Sequence, residues 1–262
     1  MLRFTDRLCL VTGAARGIGL AVAERFAAEG ATVLLTDKDE AAGRASAARI
    51  DAVFRRLDVA SEADWLALEE SDVRPDVVVN NAGITGFEEG AVPHDPEHAS
   101  LSDWRAVHAV NLDGTFLGCR YALRAFRAKG EPVRGAIVNV SSRSGMVGVP
   151  GAAAYASSKA AVRNHTKSVA LYAAQAGWRV RCNSVHPAAV LTPMWEPMLG
   201  EGEERQARMD ALVADTPMRR FGTPEEVAGV VAMLASEDGG YVTGAEVTID
   251  GGLLAGSAAS PG

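Results

Sequence analysis

The sequence predicts an α/β fold, a doubly wound parallel sheet with helices on both faces. Short apolar runs such as Leu8-Cys9-Leu10-Val11 and Val77-Val78-Val79 have the pattern of strands buried on both sides. These runs alternate with helical segments at the spacing of βαβ units. The 262 residues, 48% hydrophobic and 23% charged, have an ordinary globular composition and a length suited to one large domain, which excludes collagenous, disordered and coiled-coil readings.

The first strand, residues 8–11, ends at Thr12-Gly13, and a helix over 18–29 follows with Gly30 as its stop. Residues 32–35 form the second strand, 40–49 an Ala-rich helix and 52–57 a third strand that stops at Asp58. Ser61-Glu62-Ala63-Asp64 opens a short helix in the manner of a capping box, its hydroxyl and carboxylate satisfying first-turn amides. One long helix over 102–129 separates strands four and five, 77–79 and 136–140, and a second long helix covers 153–176. Residues 180–185 form strand six, Thr223-Pro224-Glu225-Glu226 opens a helix with a Thr cap and a Pro at its first position, and 246–249 form strand seven. No linker or repeat interrupts this order. A single domain is expected over 1–252, with a substrate loop near 193–220 and a C-terminal tail over 253–262 that frays unless a partner subunit holds it. The segment 86–100, rich in Gly, Pro, His and acids, reads as a surface loop.

The 26 Lys+Arg against 33 Asp+Glu give a net charge of −7 with His neutral, and the acids are scattered, which argues against partners such as nucleic acid or anionic membrane. Cys9, Cys119 and Cys182 lie far apart without a C-x-x-C pair, so they read as small core residues in a reducing compartment. No basic-then-apolar leader opens the chain and no apolar run approaches the roughly 20 residues that span a bilayer, so a cytoplasmic location is expected. His94-Asp95-Pro96-Glu97-His98 carries metal-like side chains, but Pro96 disfavours a continuous helix and no third ligand clusters there. It reads as a solvated loop, and no metal site is expected.

Two motifs carry chemistry. In Thr12-Gly13-Ala14-Ala15-Arg16-Gly17-Ile18-Gly19, Gly13 makes the tight turn, Gly17 leaves room for a pyrophosphate and Gly19 lets helix and strand approach, while the helix amides face the phosphates. Asp37 follows strand two directly, 24 residues after Gly13, where its carboxylate can accept hydrogen bonds from both hydroxyls of an adenosine ribose and repel a ribose phosphate. NAD is therefore favoured over NADP, although Arg16 and Lys38 could each pair with a 2′-phosphate. The second motif, Tyr155-Ala156-Ser157-Ser158-Lys159, puts a phenol and an ammonium on one helix face at i and i+4. An adjacent cation favours phenolate and draws the phenol toward a usable acid/base.

Together with Asp58-Val59, Asn80-Asn81-Ala82-Gly83, Asn111, Ser142 and the stretch from Pro187 to Thr192, these motifs in this order resemble the short-chain dehydrogenase/reductase family over nearly the whole chain, from about Leu8 to Gly252. The resemblance implies a Rossmann-type sheet of seven parallel strands. It implies that Tyr155 is the catalytic acid/base, that Ser142 polarises the substrate oxygen, that Lys159 also holds the nicotinamide ribose and that Asn111 positions a water in the proton relay. It further implies that Asp58 and Val59 contact adenine, that Asn81, Ala82 and Gly83 flank the adenosine ribose, and that Pro187, Val190 and Thr192 fix the nicotinamide carboxamide, with Asn80 structural. Family likeness also implies pairing of the two long helices across a two-fold axis, in a homotetramer. The chain departs from the family pattern at Pro187-Ala188, where Pro-Gly is usual, in a short segment between Asp64 and Val77 and in an extended loop over 86–100.

The function these readings imply is NAD-dependent hydride transfer between nicotinamide and a secondary alcohol or ketone. Specificity should reside in 146–150 and 194–199, where Met and Trp offer an apolar surface to a hydrophobic, cyclic or steroidal substrate. The stretches 147–163 and 182–194 look most like bacterial dehydrogenases of cycloalkanols and hydroxysteroids. Two alternatives share the scaffold: an NADPH-dependent 3-ketoacyl-thioester reductase, disfavoured by Asp37, and a non-catalytic NAD-binding sensor, which would have no need of Asn111, Ser142, Tyr155 and Lys159 together. A dehalogenase-type lyase would lack the glycine loop, and a Ser-Lys hydrolase would leave it unexplained.

Overall fold

The computed structural model describes residues 2–256 apart from 89 and 91. Among these, seven strands form one sheet: β1 (Leu8–Thr12), β2 (Thr32–Asp37), β3 (Val53–Arg56), β4 (Val77–Asn80), β5 (Arg134–Val140), β6 (Arg179–Pro187) and β7 (Glu246–Ile249). The helices are α1 (Gly17–Ala28), α2 (Glu40–Arg49), α3 (Glu62–Glu70), α4 (Leu101–His108), α5 (Gly114–Ala128), α6 (Ala153–Gln175), α7 (Glu196–Leu199), α8 (Glu204–Leu212) and α9 (Pro224–Ala235). The strand order is β3-β2-β1-β4-β5-β6-β7, and every neighbouring pair is parallel. The order reverses between β1 and β4, so the loops leaving their carboxyl ends diverge and open a crevice there.

Alternation along the strands divides the core into two layers. Cys9, Val11, Val33, Leu35, Val77 and Val79 cluster with Val22 and Phe26 of α1 and Val227 and Val231 of α9. Leu10, Leu34, Val78 and Ile137 cluster with Trp65 of α3, Leu117 and Phe126 of α5 and Val169 of α6. Burying such a side chain is worth about 1.5–3 kcal/mol, so the sheet is held from both faces, as its uninterrupted apolar strands require. Gly30 ends α1 at φ 90° and donates its N–H to Ala27 O. Thr223 and Glu226 form the reciprocal cap of α9, with Pro224 in its first turn.

Several elements differ from the expected ones. The expected long helix over 102–129 is divided: α4 ends at His108, a π-helical turn spans Ala109–Asp113, and α5 begins at Gly114, whose N–H reaches back to Ala109 O. At α3, Ser61 Oγ accepts from Asp64 N–H at 3.2 Å, but the Asp64 carboxylate turns to Asp58 N–H at 2.9 Å instead of closing the box on Ser61 N–H. The region near 193–220 contains α7 and α8 over a third apolar cluster, Leu199, Val213 and Phe221, with the Trp195 and Phe221 rings edge to face.

His94 is buried, not solvated: its Nε2 meets Gly86 O at 2.8 Å and its ring stacks edge-on against Phe87. His98, on the same loop, is exposed and pairs with Asp95. Residues 251–254 form a turn tied by Leu254 N–H to Asp250 Oδ2 at 2.9 Å, so the first residues of the expected tail are held by a carboxylate, while 257–262 lie outside the described residues. Among the described residues no helix is long and apolar enough to cross a membrane, and no group of three or more His, Cys, Asp or Glu could hold a metal ion.

Candidate active site

The crevice at β1 and β4 is built around the glycine loop. Gly13 sits at φ 60°, and a Cβ there would lie 2.7 Å from Ala82 Cα. A Cβ on Gly19 would fall 2.3 Å from Gly13 O and 2.4 Å from Asn81 Nδ2, so only glycine lets α1 start this close to the strand. Asn81 Nδ2 donates to Thr12 O and Gly13 O, both at 2.9 Å, while Thr12 Oγ1 accepts from the Asn81 and Ala82 amides. Asn81 and Ala82 therefore hold the glycine loop to the end of β4. Arg16 occupies the cap position of α1 and supplies no side-chain cap, so the first-turn amides and the positive end of the helix dipole remain available to an anion. Ile18 packs into the core, and a Cβ on Gly17 would lie 3.5 Å from Thr192 Cβ, which brings the loop after β6 against the glycine loop.

Asp37, at the end of β2, accepts Ala15 N–H on Oδ2 at 3.0 Å and Asp39 N–H on Oδ1 at 2.9 Å. Its carboxylate is thus fixed beside the glycine loop, with lone pairs left for further donors. Arg16 pairs with Asp39, which also caps α2 through Ala42 N–H. Asp58 Oδ1 accepts Ala60 N–H, and the Val59 side chain is buried against Gly114. These residues fit a dinucleotide: a helix amino end for the pyrophosphate and a carboxylate for a ribose diol, in one crevice.

Tyr155, Ser142, Lys159 and Asn111 converge beside that crevice. Ser142 stands two residues past the end of β5, is buried, and its Oγ accepts Ser144 N–H at 3.1 Å. Tyr155 and Lys159 lie one turn apart on α6, with the Lys159 ammonium 5.8 Å from the centre of the Tyr155 ring. Lys159 is buried, donates to Val140 O at 2.9 Å, and burial pushes its pKa down to about 8. The Tyr155 phenol is shifted upward, the reverse of the direction its neighbouring ammonium suggested: loss of hydration outweighs the hydrogen bond with Ser142, the Glu88 carboxylate adds to the rise and Arg143 opposes it. Asn111 lies in the π-helical turn; its Oδ1 accepts Ile84 N–H at 2.8 Å and its Nδ2 donates to Ile84 O and Ser158 Oγ. Gly83 joins the two halves, since a Cβ there would stand 3.1 Å from Lys159 Nζ and 3.2 Å from Asn111 Oδ1.

A family model described as enoyl-(acyl carrier protein) reductase matches residues 13–254. An NADP-dependent (R)-specific alcohol dehydrogenase of Lentilactobacillus kefiri is 37% identical over 261 residues, 97% of this chain and 98% of its own length. The chain belongs to the short-chain dehydrogenase/reductase family. A cyclopentanol dehydrogenase of Comamonas sp. (strain NCIMB 9872) is 38% identical over 97% of this chain and 100% of its own length. The crystal structure of levodione reductase superposes with a TM-score of 0.85 at 34% identity, covering 95% of this chain and 98% of that one.

Against the short-chain dehydrogenase/reductase pattern, the Ala188 departure costs no left-handed backbone, since Ala188 is absent from the positive-φ residues and its N–H is satisfied by Ile249 O at 3.1 Å. Pro187 closes β6, and Val190 is buried and bridged to Gly222. Asn80, read as structural, donates to Asn139 Oδ1 at 2.8 Å inside the core. His186 is fully buried, and burial shifts it below its ordinary pKa; its Nδ1 lies 3.2 Å from Ser142 O and its Nε2 2.9 Å from Ser184 Oγ. A carbonyl only accepts, so Nδ1 carries a proton toward Ser142 O, while Nε2 shares a hydrogen bond with Ser184 Oγ. The residues that sequence reasoning missed are Asp39, Glu88, Arg143 and Ser158. Ser158 alone had a sequence signal, as it lies within the Tyr-x-x-x-Lys turn.

Proposed function

We propose that this chain is an NAD-dependent oxidoreductase that interconverts a hydrophobic secondary alcohol and its ketone. The observation that carries the reading is the convergence of Tyr155, Ser142, Lys159 and Asn111 beside an uncapped helix terminus and the Asp37 carboxylate. When bound, the nicotinamide supplies the acceptor or donor of hydride. Ser142 donates a hydrogen bond to the substrate oxygen, and Tyr155 takes the hydroxyl proton during oxidation and returns it during reduction. Lys159 favours the phenolate and holds the nicotinamide ribose. Asn111 positions the water that carries the proton onward. Gly13, Gly17, Ile18 and Gly19 cradle the pyrophosphate with Arg16 bordering the nucleotide, Asp58 and Val59 border the adenine, Asn81, Ala82 and Gly83 flank the ribose, and Pro187, Val190 and Thr192 hold the carboxamide.

The region near 193–220 serves as the substrate loop, where exposed Met194 and half-buried Trp195 complement an apolar, cyclic or steroidal body. A cyclopentanol dehydrogenase among the relatives supports a cyclic substrate. The three cysteines are free thiols, which supports a cytoplasmic location.

The relative named as NADP-dependent favours the second reading, an NADP enzyme, and Arg16 is the residue that would serve it. Two features oppose that reading. Asp37, assigned to the ribose diol, holds its carboxylate against the glycine loop and would repel a 2′-phosphate, and Arg16 is engaged by Asp39. Charge-assisted hydrogen bonds are worth roughly 1.5–3 kcal/mol, so loss of the diol contacts should cost NADP at least about tenfold. Side-by-side steady-state kinetics test this: kcat/KM is expected to be higher with NAD, and Asp37→Ser is expected to narrow or reverse the preference. A wild-type preference for NADP, or an unchanged ratio in Asp37→Ser, overturns the ribose assignment.

A further inference from the structure

The residue after Ser142 points to the kind of substrate. Arg143 opens the short 3₁₀ turn Arg143–Gly145, for which Ser142 is the cap. Consecutive Cα atoms are about 3.8 Å apart, so the backbone of Arg143 is fixed next to the residue assigned to the substrate oxygen. Its charge reaches the Tyr155 phenol.

Arg143 has no ionic or hydrogen-bonding side-chain partner among the described residues. The arginines that share this property are Arg105, Arg127, Arg134 and Arg179, and all four are exposed to solvent, whereas Arg143 is half-buried. Glu88, the carboxylate that also faces Tyr155, is already committed: Oε1 accepts Thr85 N–H and Oγ1–H, and Oε2 accepts Gly86 N–H. The turn itself is held by other groups, since Arg163 Nη1 donates to Gly145 O and Ser144 N–H to Ser142 Oγ. Arg143 is thus dispensable for the turn that carries it. A partly dehydrated guanidinium with five donors, carried by the residue next to Ser142, is suited to a planar anion.

We propose that Arg143 is a specificity-determining residue, and that the preferred substrate is an amphipathic hydroxy acid or keto acid whose carboxylate lies a few bonds from the reacting carbon. This inference rests on the oxidoreductase reading above and extends it. The apolar body of the substrate meets Met146, Met194 and Trp195, and its carboxylate forms a forked pair with Arg143. A neutral alcohol of the same shape remains a substrate, but it leaves the guanidinium unpaired.

The test is a panel of aliphatic and cyclic 3- and 4-hydroxy acids, each beside its methyl ester, assayed for NAD and NADP reduction with the wild type and R143Q. The ester keeps the shape and removes the charge. For the best acid, the acid-to-ester ratio of kcat/KM is expected to be at least about tenfold in the wild type, the size of a charge-assisted contact. It is expected to fall as salt is added and to collapse toward unity in R143Q, with R143K intermediate because an ammonium cannot form the fork. Thermal melting of R143Q should match the wild type, as no side-chain partner among the described residues is lost. Esters or unsubstituted alcohols turned over as well as the acids, or a ratio unchanged in R143Q, would overturn the Arg143 assignment and leave the oxidoreductase reading standing. No turnover of any alcohol, acid or ester with either nucleotide would instead sink the oxidoreductase reading, and this inference with it.

Discussion

At Lys159 two demands oppose each other: the ammonium must be charged to favour phenolate and hold a ribose, yet burial disfavours the charge and brings its pKa down to about 8. The sign follows. Below about pH 8 the group is an ammonium, and above it the charge is lost. Since kcat/KM for the nucleotide reports groups of the free enzyme, that parameter with NAD is expected to be level near pH 6–7 and to fall through an inflection near 8. Lys159→Arg should carry the fall to far higher pH, because a guanidinium does not deprotonate in this range. A profile without inflection between about pH 7 and 9 would remove Lys159 from ribose binding. The spacing of Tyr155 and Lys159 was legible in the sequence because i and i+4 share a helix face. The upward shift of Tyr155 was not, because it depends on how much water the folded surroundings exclude and on Glu88, which arrives from a distant loop.

Elements are set by local signals except where a buried partner overrides them. The apolar periodicity of 102–129 is helical throughout, but the π-helical turn at Ala109–Asp113 inserts an extra residue and places the Asn111 side chain on Ile84 and Ser158. Gly114 and Gly118 show the accompanying constraint on α5. A Cβ on Gly114 would lie 2.8 Å from Val59 Cγ2, and one on Gly118 would lie 2.0 Å from Asn80 Oδ1. Gly118→Ala is therefore expected to destabilise the protein by about 1–3 kcal/mol despite the higher helix propensity of Ala, pushing Asn80 off Asn139. Gly229, inside α9, has nothing within 4 Å of its Cβ position, so Gly229→Ala should stabilise by about 0.5–1 kcal/mol. Denaturant midpoints measured on both variants check the pair. Equal effects would mean that helix propensity, and not packing against Asn80, governs Gly118.

On the scale of the whole molecule, Phe116 of α5 and Leu171 and Tyr172 of α6 are 44%, 63% and 53% exposed, and the Phe116 ring lies edge-on to His165 of α6. Large apolar side chains gathered on two neighbouring helices suit a self-complementary contact between copies. We propose a homotetramer with α5 and α6 at a two-fold axis. Light scattering at micromolar concentration is expected to give four chains, and Leu171→Glu to give smaller species by placing charge in that contact. A monomeric wild type would contradict this.

The apolar strand runs, their spacing from helices, the glycine loop and the Tyr-x-x-x-Lys turn determined the parallel sheet and the location of its crevice from the sequence, because each depends on residues close to one another in the chain, and Asp37 was found from its place at the end of the second strand. The tertiary structure decided what depends on groups far apart in the chain. It buried His94 under Gly86 and Phe87, engaged Arg16 with Asp39, locked His186 between Ser142 and Ser184, and left Arg143 half-buried without a partner among the described residues. The physical reason is range. Periodicity and caps act over a turn or a strand, whereas desolvation and ion pairing depend on every element packed around a side chain.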